Sequence, residues 1–165
     1  CKVACVFLQY RTVKLFRMII GLLFILFASS GEALACPLEL PAATISIKGH
    51  SLTVELAATP TARACGLAHR NELPPTHGML FIFPDVRPAT FWMKDTRIPL
   101  SIAFVDESGK IINIRNMAPM QTDVQYHSAG PAKYALEVNQ GWFKKNGIEA
   151  GDHVVMELPL VIDIK

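Results

Sequence analysis

The stretch from Met79 to Asp106, which reads MLFIFPDVRPATFWMKDTRIPLSIAFVD, constrains the fold more than any other part of the chain. It holds two short apolar runs, Met79–Phe83 and Leu100–Val105, on either side of a proline-containing connection. Apolar runs of this length bounded by turn-forming residues are typical of buried strands. Between the runs, FWMKDT places two aromatic rings, a cation, an anion and a hydroxyl within six residues. The stretch therefore predicts the centre of a β-sheet beside a mixed polar and aromatic segment, without a catalytic signature.

An apolar segment near the start of the chain resembles a secretory signal. Lys14 and Arg17 precede the uncharged run 18–28, and an Ala-x-Ala ending follows it at Ala35. A basic region, a short apolar core and such an ending are the three parts of a signal peptide. The run is also shorter than the ~20 residues that a membrane-spanning helix needs. We therefore expect residues 1–35 to be a secretory signal segment that is cleaved after Ala35, so that the protein is exported, periplasmic or secreted.

Two other interpretations of this segment stay open. The run could remain as an uncleaved anchor, or Cys36 could receive a lipid after cleavage. Lipoprotein signals resemble Leu-x-small-Cys, and here Ala33 stands in the place of that leucine, which favours simple secretion. The chain begins with Cys1, and a translation start at Met18 would make the residues before it additional to the natural protein. No stable membrane span is expected after cleavage.

The predicted mature chain, residues 36–165, is long enough for one hydrophobic core, and we expect it to form a single β-rich globular domain. Removal of the leader takes four of the 16 basic residues and one of the 14 acidic residues, which leaves 12 and 13. Proteins that bind nucleic acid or anionic membranes carry a marked excess of positive charge. The nearly balanced charge therefore argues against nucleic acid as a partner.

Two of the four cysteines, Cys36 and Cys65, lie in the predicted mature chain. Disulfides form and persist in oxidising compartments such as the periplasm. A Cys36–Cys65 bond is compatible with the sequence, and its formation depends on the distance between the two Cα atoms.

The pattern of apolar residues predicts mainly short strands. Ala43–Lys48 and Ser51–Ala57 alternate apolar and polar residues on either side of Gly49 and His50. Such an arrangement predicts a β-hairpin with a two-residue turn. The other predicted strands follow along the chain, and the last of them, Val161–Ile164, would lie at an edge.

Two short helices complete the predicted elements. Thr59 is suited to cap a helix that begins at Pro60 and ends near Gly66, and 141–146 forms the second. About eight strands occur without the regular alternation of strands and helices that a parallel sheet requires. The sequence therefore predicts an α+β, mostly β fold: a compact antiparallel barrel-like sheet domain with two short helices.

A set of short motifs runs through most of the predicted mature chain. Its members are RNELP from Arg70, HGMLF from His77, FWMKDT from Phe91, IPL from Ile98, GKI from Gly109, PAKYALEV from Pro131, and the glycines Gly141, Gly147 and Gly151. In order and spacing they resemble domain-of-unknown-function family 192, over about residues 43–158.

The resemblance implies a fold and a compartment rather than an activity. Members of the family are small, frequently exported bacterial and archaeal proteins with a compact β-rich domain, and their biochemical role is not established. The chain departs from the family pattern at Ala68, where Gly-Leu-Met is common, and at Ser101, where Pro-Leu-Asp is common. If the acidic residue of that second motif is catalytic in relatives, its loss here argues against catalysis.

The FWMKDT segment carries the strongest candidates for ligand contact. In a strand from Thr90 to Lys94, alternate side chains face opposite sides of the sheet. If Met93 faces the core, Trp92 and Lys94 share an exposed face that suits stacking on a sugar ring or another flat ligand. The alternative is that Trp92 fills the core and Asp95 accepts hydrogen bonds from a turn.

The leading hypothesis is an exported, non-enzymatic binding module for a small polar ligand such as a saccharide. Its site would lie where FWMKDT meets the hinge before His77, the loop 121–130 and the turn at Gly141. Two tryptophans would stack on the ligand and polar side chains would orient it. The candidate ligand-binding residues are Arg70, His77, Trp92, Lys94, Asp95, Thr96, Glu137 and Trp142.

Two other functions stay open. A small hydrolase could use Asp95 and Glu137 as an acid and base pair, although an enzyme is the less favoured class because no nucleophile motif or phosphate-binding loop is present. A structural envelope protein would need no ligand at all. Cys65, His69 and His77 match no compact metal-binding motif, so we expect no metal and no other cofactor. The sequence does not indicate the oligomeric state.

Overall fold

The computed structural model describes residues 36–158 of the chain. The predicted leader, residues 1–35, and the predicted edge strand Val161–Ile164 lie outside the described residues. The described part contains nine strands and two short helices, and its preponderance of strand confirms the mostly β prediction. No helix within residues 36–158 is long and apolar enough to span a membrane.

Seven strands form one sheet in the order β6-β5-β8-β3-β2-β1-β9, and β4 pairs with β7. Every pairing is antiparallel except that of β2 with β3. The helices are α1 (Pro60–Cys65) and α2 (Trp142–Lys145). The strands are β1 (Ala42–Ile47), β2 (His50–Ala57), β3 (His77–Arg87), β4 (Thr90–Phe91), β5 (Leu100–Val105), β6 (Ile111–Met117), β7 (Tyr126–His127), β8 (Ala132–Asn139) and β9 (Val154–Met156).

The seven-stranded sheet curls into a half-barrel, because its two edge strands meet at one end. Lys110, just before β6, forms a β-bridge with His153, just before β9. Next to this bridge the Val154 amide donates to the Gly109 carbonyl at 2.8 Å. Gly109 has a φ of 88°, and a Cβ there would lie 2.8 Å from the Val154 carbonyl oxygen, so the closure requires glycine. The barrel-like architecture predicted from the sequence is confirmed.

Strands β3, β5 and β8 are buried on both faces. Because side chains alternate along a strand, Leu80 and Ile82 of β3 point into the half-barrel and Met79 points the other way. We call the side that carries Met79 the outer face. It is covered by residues 66–76 and 92–99, which we call the roof. The roof contributes four buried side chains to the hydrophobic cluster on the outer face, those of Leu67, Leu73, Met93 and Ile98.

The roof follows from the parallel pairing of β2 with β3, since parallel neighbours need a crossover connection. Helix α1 and residues 66–76 form that crossover. Thr59 caps α1 by accepting a hydrogen bond from the Ala62 amide at 3.2 Å, and Gly66 ends the helix with a φ of 49°. The predicted helix start and end are confirmed.

Two local predictions were wrong. The first hairpin turns at Lys48 and Gly49, one residue earlier than predicted, and their φ values are 50° and 81°. A two-residue turn of this kind needs positive φ at both positions, and glycine takes the second of them. The strand predicted from Thr90 to Lys94 ends at Phe91, because the chain leaves the extended conformation there to cross the outer face.

A disulfide joins Cys36 to Cys65, whose Cα atoms lie 5.5 Å apart. It fixes the start of the described chain to the end of α1. The segment that follows Cys36 packs Leu38 and Leu40 against the outer-face cluster. The Cys36–Cys65 disulfide, which the sequence did not decide, is therefore present. It holds the segment 37–40 against the outer face of the sheet.

Removal of this disulfide should lower the free energy of unfolding by roughly 3 to 4 kcal/mol, because the bond closes a loop across a sequence separation of 29 residues in the unfolded chain. Urea denaturation of the Cys36→Ser/Cys65→Ser double variant measures this loss. The wild type in reductant should match the double variant, and reductant should leave the double variant unchanged. Equal stability of the oxidised wild type and the double variant would contradict the assignment.

Candidate functional site

Glu137 is a carboxyl group buried in the outer face of the sheet. On β8 it lies between its register partners Met79 of β3 and Ile102 of β5. Its side chain is 5% exposed and has no hydrogen bond or ion pair with any residue of 36–158. Burial raises the pKa of Glu137 to about 8, since the charged form would lose its water without gaining a partner. Glu137 is therefore mainly protonated at neutral pH.

Two further polar groups near Glu137 lack partners. Among side-chain nitrogens and oxygens of residues 36–158, only Arg70 Nε and His77 Nδ1 are fully buried without a hydrogen bond. His77 lies two residues before Met79 on β3, so it is a diagonal neighbour of Glu137 across the strand pair. Buried polar groups without partners are rare in folded proteins. Their concentration here makes this part of the outer face the first candidate site.

Arg70 reaches this face from the roof through an ion pair with Glu55. Its Nη1 and Nη2 donate to the two carboxylate oxygens at 2.5 and 2.6 Å. Glu55 is the register partner of Met79 on β2, so the pair flanks the same methionine as Glu137. The ion pair neutralises the charge of Arg70, while the Nε–H of Arg70 stays buried without an acceptor among residues 36–158. The pair also lines a cleft of about 660 Å³ beneath the N-terminal segment 37–40.

The two segments of the roof are joined directly above the sheet. The His69 amide donates to the Asp95 carbonyl at 2.8 Å, and Arg97 donates to the Asn71 side chain at 2.9 Å. His69 and Asp95 both adopt positive φ, 63° and 56°. Residues other than glycine take this conformation at some cost, so the junction is held by the surrounding structure.

Some side chains of the FWMKDT segment are exposed and others are buried, and strand alternation predicts only part of this pattern. Met93 is buried, and Trp92 is 58% exposed with Lys94 exposed beside it. Thr96 is buried as well, and its hydroxyl donates to the Lys94 carbonyl at 3.2 Å. Strand alternation would have put Thr96 on the exposed side with Trp92. The positive φ of Asp95 reverses the direction of the chain between them.

Trp142 lines a separate cleft of about 650 Å³. Its ring makes edge-to-face contacts with His50 and Phe143, at centroid distances of 6.5 and 5.4 Å, which hold the indole in place. We call this the Trp142 cleft. Its other lining residues are Gly49, Ser51, Leu73, Pro75, Thr76, Asn139, Gln140, Gly141, Lys145 and Asn146.

Three amides of the Trp142 cleft are fixed by bonds to backbone carbonyls. Asn139 donates to the Leu73 carbonyl at 2.8 Å, and Asn146 donates to the Trp142 carbonyl at 2.9 Å. Gln140 donates to the Met117 carbonyl at 3.4 Å. The NH₂ group of Asn139 uses both of its N–H donors, since it also donates to the Pro74 carbonyl at 3.2 Å. Gln140 and Asn146 each keep one N–H, and the side-chain oxygens of all three amides are available to accept a hydrogen bond.

The structure therefore distributes the predicted site residues over three places. The outer face under the roof contains Arg70, His77 and Glu137. The roof segment 92–99 contains Trp92, Lys94, Asp95 and Thr96, and its bond to the other roof segment is the one from the His69 amide to the Asp95 carbonyl. Trp142 lies in its own cleft, which includes the hinge residues just before His77 but not Trp92 or Lys94.

Sequence reasoning missed several residues of these places. Glu55 alternates with the buried Val54 and Leu56 in β2, and this pattern indicates that it lies on the opposite face from them, without indicating its partner. His50 and Asn139 come together only because the first hairpin and the end of β8 meet at one end of the half-barrel, and no local signal reveals that. Within residues 36–158, no three His, Cys, Asp or Glu side chains are grouped so as to hold a metal ion.

Glu137→Gln should change how stability depends on pH. The folded pKa of about 8 exceeds the ordinary 4.5, so the folded state binds the extra proton between these values and wild-type stability falls as pH rises through them. The free energy of unfolding of Glu137→Gln, relative to that of wild type, should therefore rise by up to roughly 1.4 kcal/mol for each pH unit across this window. Above pH 8 this difference should stay constant.

Urea denaturation at pH 5, 6, 7, 8 and 9 measures the difference. Glu137→Met has a similar length and does not titrate, so its pH profile should parallel that of Glu137→Gln. A difference between wild type and Glu137→Gln that stays the same from pH 5 to pH 9 would contradict a buried, unpaired carboxyl.

Two solved structures are similar to this chain over about three quarters of its length. A protein from Sinorhizobium meliloti 1021, described as a candidate transcription regulator, is 36% identical with a TM-score of 0.69, and the match covers 73% of this chain and 97% of that one. A protein of unknown function from Novosphingobium aromaticivorans DSM 12444 is 34% identical with a TM-score of 0.69, covering 76% and 93%. No curated protein matches the chain.

The sequence profile of DUF192, described as Uncharacterized ACR, matches residues 43–156. This range contains the motifs from which the family was predicted, and it spans the whole half-barrel from β1 to β9. The resemblance predicted from the sequence is confirmed: the chain belongs to the DUF192 family.

Proposed function

We propose that this protein is a non-enzymatic binding module for a small polar ligand such as a saccharide, and that the ligand lies against Trp142. The observation that carries this proposal is an indole held by aromatic neighbours in a cleft whose walls present fixed amides. The cleft volume of about 650 Å³ is in the range of small-molecule sites.

The chemistry of the Trp142 cleft suits a sugar better than a charged ligand. A sugar ring has an apolar face of C–H groups that packs on an indole, and hydroxyls at its edge that donate hydrogen bonds. The free oxygens of Asn139, Gln140 and Asn146 are acceptors for such hydroxyls. Lys145 is the lining residue with a full charge, so an ionic ligand would find one partner at most.

The polar groups under the roof lie behind one wall of the same cleft. Leu73, Pro75 and Thr76 line the cleft and lead directly into His77 of the outer face. The proposal assigns the first contact with ligand to Trp142 and its amides. His77, whose amide donates to the Pro74 carbonyl at 2.9 Å, then supports the wall, and Arg70 and Glu137 have no assigned contact with the ligand.

The Sinorhizobium meliloti relative is described as a candidate transcription regulator, but for this chain a role through direct DNA binding has less support. Residues 36–165 contain 12 basic and 13 acidic residues. Binding to the phosphate backbone needs a cluster of cations. The nearly balanced number of charges therefore gives little support to DNA as a partner.

The proposal includes export. The apolar leader predicted at residues 1–35 and the disulfide between Cys36 and Cys65 both suit an oxidising compartment. N-terminal sequencing of the protein recovered from the cell envelope tests this, with Cys36 as the expected first residue.

A small hydrolase is the second candidate, favoured by the buried and protonated carboxyl of Glu137. Asp95 would be its partner in the roof above. A hydrolase predicts turnover of a glycoside that the Asp95→Asn/Glu137→Gln double variant abolishes. Binding without turnover favours the module.

Trp142→Ala should remove saccharide binding while leaving the fold intact. The indole supplies the apolar platform of the cleft, and loss of one stacking aromatic should weaken binding roughly tenfold. Isothermal titration with N-acetylglucosamine, glucose, chitobiose and cellobiose measures this, and thermal denaturation checks folding.

The chain offers a matched control, since its other tryptophan, Trp92, does not line the cleft. Trp92→Ala should bind the saccharide as wild type does. If Trp92→Ala loses binding and Trp142→Ala keeps it, the site is at the roof and the assignment to the Trp142 cleft is wrong. If no saccharide binds the wild type, the structural alternative is favoured.

A further inference from the structure

One edge of the seven-stranded sheet borders a cleft that has room for an additional strand. Strand β6 is at one edge of the sheet, and only its start, at Lys110 and Ile111, is bonded to the segment before β9. Beyond that point no described strand pairs with the free side of Asn113–Asn116. In an antiparallel strand every second residue points its N–H and C=O away from its neighbour, so part of this edge is without a ladder partner among residues 36–158.

The free edge faces a cleft of about 640 Å³, which we call the β6 slot. Residues 147–150 form its opposite wall. The buried side chains Phe143 and Ile148 form an apolar floor, and Ser101 lies beside them with its hydroxyl hydrogen-bonded to Asn116 at 2.7 Å. The slot thus combines backbone hydrogen-bonding groups on one side with an apolar surface below.

We propose that the β6 slot binds an extended peptide, which adds a strand to the free edge of β6 beside Asn113–Asn116. Exposed sheet edges recognise peptides in this manner: main-chain hydrogen bonds give affinity, and pockets for alternate side chains give specificity. Four residues of strand span about 13 Å. Side chains on one face of the peptide would contact Phe143 and Ile148.

The charges around the slot favour an acidic peptide. Arg115 and Lys144 are exposed at its rim, and Glu149 is the acidic residue among the lining positions. Arg115 is the register partner of Ile102, so it projects on the face of β6 opposite Phe143 and Ile148, and an acidic side chain on the solvent-facing side of the peptide would pair with it. Small β-branched residues at the alternate positions would fit the apolar floor.

A second copy of the same chain fits the slot less well than a peptide. The free edge faces residues 147–150 across the slot, so a second copy that paired edge to edge would have to bring its own residues 147–150 into the same space. An extended peptide has no such wall. This geometry, together with the charge at the rim, selects the peptide as the occupant.

The probe is the capped hexapeptide acetyl-TVDVTV-amide, titrated into the isotopically labelled protein. Binding should shift the amide resonances of Asn113–Asn116 and slow their hydrogen exchange, because strand addition gives those amides new acceptors. The lysine counterpart acetyl-TVKVTV-amide should bind roughly threefold more weakly, the effect of an exposed ion pair. Arg115→Glu should reverse that preference.

Ala150→Trp is the blocking variant, because Ala150 belongs to the wall of the slot opposite β6 and a large ring there would fill the space. It should abolish binding without lowering the melting temperature. Ala64→Trp, at an exposed position of α1 away from the slot, should bind as wild type does. Unchanged binding by Ala150→Trp would overturn the proposal, as would protection of amides outside β6 or the absence of any β6 protection at millimolar peptide.

Discussion

Burial of both faces of β3, β5 and β8 is the constraint on which the rest of this structure depends. One face is closed by the curl of the sheet itself, with Phe143 of α2 packed into the half-barrel. The other face needs a cover from elsewhere in the chain. The parallel pairing of β2 with β3 supplies it, because the crossover has to pass over the sheet, and the segment between β4 and β5 completes the roof.

The roof explains why polar groups collect on the outer face. Arg70 is carried by the crossover and is neutralised there by Glu55 of β2, while Glu137 lies in the sheet below without a partner among residues 36–158. Replacing a buried unpaired carboxyl with an amide or an apolar side chain normally stabilises a fold. Retention of Glu137 and the unsatisfied nitrogen of His77 is therefore a cost in stability, of the kind that functional sites carry.

Local features of the sequence predicted the parts of the fold that local physics decides. Thr59, Pro60 and Gly66 set the limits of α1, and the apolar run Leu100–Val105 is a buried strand with the predicted bounds. The position of the first turn was missed by one residue, since Lys48 as well as Gly49 takes positive φ.

Contacts between distant segments were beyond what the sequence could predict. The insertion of β8 between β3 and β5 depends on the closure of the whole sheet, and the pairing of Arg70 with Glu55 depends on the path of the crossover. The reversal at Asp95, which buries Thr96 against the expected alternation, depends on the contact of its carbonyl with His69. The Trp142 cleft likewise exists only once the first hairpin and the end of β8 meet.

The two tryptophans give the most direct test of the proposed binding role. Each indole N–H of the labelled protein has its own resonance, and single substitutions of Trp92 and Trp142 assign the pair. Titration with chitobiose should move the Trp142 resonance progressively and saturably while that of Trp92 stays in place. Movement of the Trp92 resonance alone, or of neither at millimolar sugar, would contradict the account.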